Sequence, residues 1–139
     1  MKGFLDFIAY LNTRQRPKKY EKLSISIEEE FHIKNEIEKI MRSGLYKIND
    51  LDLQQLSEAV SAQRHKVSMV INKHYRCNFN QWLIHFRLEE AKRMLLEEPA
   101  ASIKTIIFES GFNSTSTFYE VFKRQTCLTP NEYRRNRGY

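Results

Sequence analysis

Glycine, proline and cysteine are scarce in this 139-residue chain, at four, three and two residues. So few turn-formers leave little material for a loop-rich β architecture or a glycine-rich phosphate loop. Cys77 and Cys127 lie far apart, without a CxxC or Cys/His ligand spacing around either. Neither a disulfide framework nor a metal site is therefore expected, and both read as reduced thiols of a cytoplasmic protein. His32, His65, His74 and His85 form no HExxH and no nucleophile elbow is present, which argues against an enzyme. The longest apolar run, Phe4 to Leu11, is broken by Asp6 and falls far short of the roughly 20 residues of a membrane span. Acid is missing from one long stretch. Between Ala59 and Leu88 there is no Asp or Glu, while Arg64, Lys66, Lys73, Arg76 and Arg87 accumulate.

What is present suits one helical domain with a polyanionic partner: 41% hydrophobic residues, 29% charged and a formal net charge of +6. Residues 1–25, with Arg14, Arg16, Pro17, Lys18, Lys19 and Lys22, read as a basic linker or arm. Residues 26–50 read as a scaffold helix and its connection. Ser26 and Glu29 form a capping-box pattern, and Ile27, Phe31, Ile37, Ile40 and Met41 supply an apolar stripe. Glu30/Lys34 and Glu38/Arg42 are i,i+4 pairs, and Gly44 is a stop. The Glu28-Glu29-Glu30 run suits a first helical turn through the macrodipole alone.

From Asp52 onward the pattern is a short helix (Leu53, Leu56, Ala59, Val60), a turn at Ser61-Ala62-Gln63, and a second helix carrying Val67, Val70 and Ile71. A longer helix is predicted from Phe79 to Glu97 and closed by Pro99. Ser102 then caps another short helix, Gly111-Phe112 makes a turn, and Phe118, Val121 and Phe122 form the next stripe. Thr129-Pro130 opens a last helix. These elements repeat. Leu53, Leu56 and Val60 match Ile103, Ile106 and Ser110 at an offset of 50, and after a one-residue insertion Val67, Ile71 and Trp82 match Phe118, Phe122 and Tyr133 at 51. Two recognition-type helices follow, at residues 64–74 and 114–125, joined by a connector of about 28 Å at 1.5 Å per residue.

With Arg87 to Leu95 as an Arg-x-x-x-Ala-x-x-x-Leu stretch, and with Ile106, Gly111-Phe112, Phe118, Phe122 and Thr129-Pro130-x-x-Tyr133-Arg134, residues 51–139 resemble the DNA-binding domain of AraC/XylS-type transcription regulators. The resemblance implies an all-α fold of two helix-turn-helix subdomains on a long connector helix, about seven helices, preceded here by an additional N-terminal helix or arm. It implies binding of double-stranded promoter DNA, an activator, no cofactor, and contact with RNA polymerase. The family usually has Gly where this chain has Arg76 and Cys127, at helix ends where φ can be positive, and a small Ala at Ile107. Phe4 to Leu11 with the basic cluster resembles the cytoplasmic end of a transmembrane helix, which implies a sensor or membrane-tethered region outside this chain. A protein-interaction module that contacts the transcription machinery without reading DNA is the alternative.

By this pattern His65, Ser68, Met69 and Asn72 of the first recognition helix, and Thr115, Ser116, Tyr119 and Glu120 of the second, face base edges. Arg64, Lys66, Lys73 and Arg76 are expected on phosphates, with Asn113 and Ser114 at a helix N-terminus where backbone amides hold one. Glu120 can accept from cytosine or pair with Arg124. Arg87 is expected to be structural, through an acid such as Glu109, and Arg134, Arg135 and Arg137 to add electrostatic affinity.

Overall fold

A computed structural model describes residues 25–137, so most of the expected basic arm, Phe4 to Leu11 included, lies outside the described residues. Among the described residues seven α-helices are formed: α1 Ile27–Arg42, α2 Leu53–Ala59, α3 Arg64–Tyr75, α4 Phe79–Glu97, α5 Ile103–Glu109, α6 Thr115–Thr126 and α7 Pro130–Arg137, with a 3-10 turn at Leu45–Lys47. There is no strand among the described residues. The chain divides into two compact units. Residues 25–45 and 51–83 make the first, residues 46–50 and 84–137 the second, and α4 passes from one into the other after Leu83.

The repeat holds helix for helix. α2 and α5 are seven residues each at an offset of 50, and α3 and α6 are twelve each at an offset of 51. The starts of α4 and α7 carry the same reciprocal cap. Asn78 and Gln81 each accept the other's backbone N–H through a side-chain oxygen, at 2.9 and 3.0 Å, and Thr129 and Glu132 do the same at 3.2 and 2.9 Å. Both recognition-type helices end in a left-handed residue, Arg76 at φ 55° and Cys127 at φ 61°, as the departures from glycine imply. The turn of the first motif adds Ser61 at φ 54°, where the second has Gly111 at φ 107°. A side chain in this region costs about 1 kcal/mol relative to Gly. Cys127→Gly is therefore expected to stabilise the second unit by about 0.5–1 kcal/mol, visible as a rise in its unfolding midpoint.

In the first unit α1 and α2 both pack on α3, around Ile33, Ile37, Met41, Leu56, Val67, Val70, Ile71 and Trp82, each at most 2% exposed. The apolar stripe of α1 differs from the sequence expectation. Ile37 and Met41 are buried as expected, but Ile27 and Phe31 are 73% and 52% exposed, and Glu30 and Ile33 face inward in their place. The displacement has an electrostatic reason: Glu30 turns toward α3 rather than along its own helix, so Lys34 pairs with Glu38 at 2.9 Å.

The second unit is built on a ladder of rings. Phe112 meets Phe118 edge-on at 5.1 Å, Phe118 meets Phe122 at 5.3 Å, and Phe122 meets Tyr133 edge-on at 5.4 Å. Burying each such ring contributes about 1.5–3 kcal/mol. Two arginines hold chain rather than acids. Arg87, 6% exposed, donates from Nε to the Tyr46 carbonyl at 2.9 Å and from Nη2 to those of Ile48 and Asn49 at 2.7 and 3.4 Å, not to Glu109. Arg134, expected on DNA, donates to the carbonyls of Leu95, Glu98 and Ala101 where α4 ends. Asn49 completes the segment by donating to the Phe108 and Phe112 carbonyls, both at 3.0 Å.

Candidate nucleic-acid interface

The exposed side of α3 begins at Arg64 and His65 and ends at Lys73 and Arg76. Gln63 makes no side-chain bond to the helix start and caps it through its backbone carbonyl, which accepts from Lys66 and Val67. The first turn is therefore cationic, with no acid on the helix. Four residues expected to read bases are placed unevenly. His65 is exposed and Asn72 half-buried, its Nδ2 donating to the Ser68 carbonyl at 2.8 Å. Ser68 and Met69, expected outward, are only 8% and 9% exposed. For Met69 the cause is its register: it lies one turn from both Lys66 and Lys73, which are held by α1.

That hold was not anticipated. Lys66 Nζ donates to Glu29 Oε1 at 2.6 Å, and Lys73 Nζ lies 2.9 Å from the Glu30 carboxylate. His74 Nε2 sits 2.7 Å from Glu30 Oε1, with the Phe31 ring 6.0 Å from its own. Glu29 thus faces across to α3 while its backbone N–H takes the Ser26 hydroxyl as cap. One turn on, Tyr75 donates its hydroxyl to Glu38 and stacks obliquely near Trp82. The signal for these contacts existed in the sequence. An acidic first turn on α1 and an acid-free stretch over α3 are complementary, although neither says by itself that they meet.

The hydrogen bond from Lys73 holds the Glu30 carboxyl below the ordinary carboxylate range, against the opposing effect of burial and with further help from His74. A group with a lowered folded-state pKa contributes stability that is complete above its unfolded value and is lost as pH falls through the folded one. Glu38 behaves alike: burial pushes it up, but Tyr75 and Lys34 pull it below the ordinary value. Stability of the first unit is therefore expected to stay level from neutral pH down to the ordinary carboxylate range, and to fall below it. Unfolding midpoints followed by Trp82 fluorescence over acidic pH check this. Glu30→Gln should lower the neutral value and flatten the acid limb.

In the second unit the corresponding face of α6 is open. Thr115, Ser116 and Glu120 are exposed, and Tyr119 is 48% exposed. Ser116, Tyr119 and Glu120 stand at the offset-51 positions of His65, Ser68 and Met69, so one register serves both helices. Glu120 does pair with Arg124, at 3.3 Å, but both side chains are at least half exposed, and such a pair is worth less than about 1 kcal/mol. Ser114 uses its hydroxyl to cap α6, accepting from the Thr117 amide at 3.2 Å, and lies 3.1 Å from the Ser116 hydroxyl; Asn113 is exposed beside it.

Two short helix-turn-helix motifs in tandem, each ending in a recognition-type helix with a polar outer face, define a helix-turn-helix protein rather than a catalytic one. Among the described residues no cluster of His, Cys, Asp and Glu could hold a metal ion, and no helix there is long and apolar enough to cross a membrane. A family model described as a helix-turn-helix domain matches residues 56–136. The chain belongs to this family, the helix-turn-helix domain of AraC-type transcription regulators.

Relatives agree. An HTH-type transcriptional regulator of Pseudoalteromonas carrageenovora is 29% identical over 87 residues, covering 63% of this chain and 51% of the relative. Another from Haemophilus influenzae is 30% identical over 88 residues, 63% of this chain and 29% of the relative. The chain thus spans about half the length, or less, of these curated relatives. Among solved structures, the C-terminal domain of the two-component response regulator yesN from Fusobacterium nucleatum is similar with a TM-score of 0.63 and 28% identity, over 73% of this chain and 96% of that one. An AraC-type transcriptional regulator from Chromobacterium violaceum shares the fold, with a TM-score of 0.66 at 19% identity over 81% and 96% of the two chains.

Proposed function

We propose that this domain binds promoter DNA as one asymmetric reader, placing α3 and α6 in successive major-groove segments. The observation that carries the reading is the shared register of the two helices: twelve residues each, with His65 and Ser116, Ser68 and Tyr119, Met69 and Glu120 at equivalent positions. Bases are read by His65, Thr115, Ser116, Tyr119 and Glu120 on exposure and chemistry, by Asn72 on chemistry, and by Ser68 and Met69 on register. Arg64, Arg76 and the Asn113-Ser114 corner position the duplex through phosphate. The greater length of the curated relatives supports a parent regulator with a further portion outside residues 1–139, which we assign to sensing; activation at RNA polymerase belongs to the same proposal and rests on the family resemblance.

The test is affinity for a selected and a scrambled duplex at several salt concentrations. His65→Ala and Ser116→Ala are each expected to cost about 1–3 kcal/mol at one base pair and to leave the scrambled duplex nearly unaffected. Arg64→Ala is expected to weaken both duplexes alike and to reduce the salt slope by about one. Equal losses on both duplexes for His65→Ala and Ser116→Ala would refute the assignment of faces.

A further inference from the structure

The cations of α3 are the natural phosphate contacts of this reader, yet two of them are already engaged by the preceding helix. Lys66 and Lys73 are seven residues apart, two turns on one face, and meet Glu29 and Glu30, which are adjacent on α1. The pairs differ in depth. Lys66 and Glu29 have side chains 25% and 40% exposed, whereas Lys73 is 62% exposed and its partner Glu30 only 9%. A carboxylate and a phosphate oxygen compete for the same ammonium protons, and moving Lys73 to a phosphate would take its ammonium from the buried Glu30 carboxylate, a cost that keeps the pair together. Because the stretch from Ala59 to Leu88 has no acid of its own, the first turn of α1 supplies the negative charge against it.

We infer that Glu29 and Glu30 lower the sequence-independent affinity of the reader for DNA by withholding Lys66 and Lys73 from the DNA backbone. The inference rests on the proposal that α3 faces DNA. Phosphate contacts add affinity for every sequence alike, so withholding two of them lowers binding to cognate and random duplex by the same factor and makes both less dependent on salt. Glu28, exposed on the same turn, carries the same charge without either lysine contact and is the internal control.

The experiment is fluorescence-anisotropy titration of the full chain, wild type and variants, with a random-sequence duplex over a range of salt. Glu29→Gln and Glu30→Gln should each tighten binding by roughly three- to tenfold at about 0.1 M salt and steepen the slope of log K against log salt by about 0.9. Glu28→Gln should do neither. Lys73→Ala should leave the wild-type slope unchanged and abolish the gain in the Glu30→Gln background, as Lys66→Ala should in the Glu29→Gln background. Should buried Glu30 prove necessary for folding, as read by a far-ultraviolet melt, the Glu29/Lys66 cycle decides alone. An equal gain from Glu28→Gln, an unchanged slope in the Gln variants, or a full unit lost on Lys73→Ala alone would overturn the inference while leaving the DNA reading standing. Absence of duplex binding in the wild type and every variant would overturn both.

Discussion

Gly111→Ala is expected to remove roughly 2–4 kcal/mol from the second unit, among the larger effects of a single methyl. A Cβ there would stand 2.3 Å from the Tyr46 carbonyl oxygen and 2.8 Å from Arg87 Nε, at a backbone φ of +107°. Both neighbours are fixed, since Arg87 Nε is bonded to that same carbonyl. Relief requires moving the 46–49 segment, which Asn49 anchors to the carbonyls of Phe108 and Phe112. The first motif provides a contrast: Ser61, at the equivalent turn, holds a side chain at φ 54°, nearer the left-handed helical region that non-glycine residues can enter. Amide exchange in α5 and α6 is the measurement, and protection there should fall by roughly one and a half to three orders of magnitude. Protection within a factor of three of wild type would contradict the account.

Arg87→Met should cost the same unit about 2–3 kcal/mol. Two effects oppose each other. The guanidinium is buried without a carboxylate, and burial lowers its pKa, so its removal relieves a desolvation penalty. Against this, three carbonyls lose charge-assisted donors, each worth about 1.5–3 kcal/mol where a charged group takes part. The hydrogen bonds outweigh the relief because Tyr46, Ile48 and Asn49 present their oxygens to one planar fork that Met cannot replace. Arg87→Lys should recover only part of the loss, a single ammonium being unable to span the spread of acceptors. Chemical denaturation of the three chains, followed by far-ultraviolet dichroism, tests the order Arg, Lys, Met.

Much of this fold is legible along the chain because its signals are local. Caps at Ser26, Asp52, Ser102 and Thr129, and the repeat offsets of 50 and 51, place helix ends without knowledge of what packs on what. Arg76 and Cys127 mark positive φ through their departure from the family's glycine. What escapes is pairing across space. Ile27 and Phe31 satisfy helical periodicity and are exposed, because the face of α1 that turns inward is chosen by α3, not by α1. Glu30 has an ideal partner four residues on and takes Lys73 and His74 instead. The acids that face Lys66 and Lys73 are hidden in the same way, since nothing within residues 64–75 reveals Glu29 and Glu30. The role of residues 46–50 is equally non-local: two carbonyl contacts from Asn49 and three to Arg87 place them with the second unit.

One chain is expected to read two groove segments, with α3 and α6. The most direct test is a methylation-interference and hydroxyl-radical footprint of this chain on a duplex selected from a random pool. Two protected major-groove segments are expected on one face of the duplex, about one helical turn or roughly 34 Å apart, unequal in sequence and present at one chain per duplex. A footprint confined to a single groove segment, or protection that requires a palindrome and two chains, would contradict this arrangement.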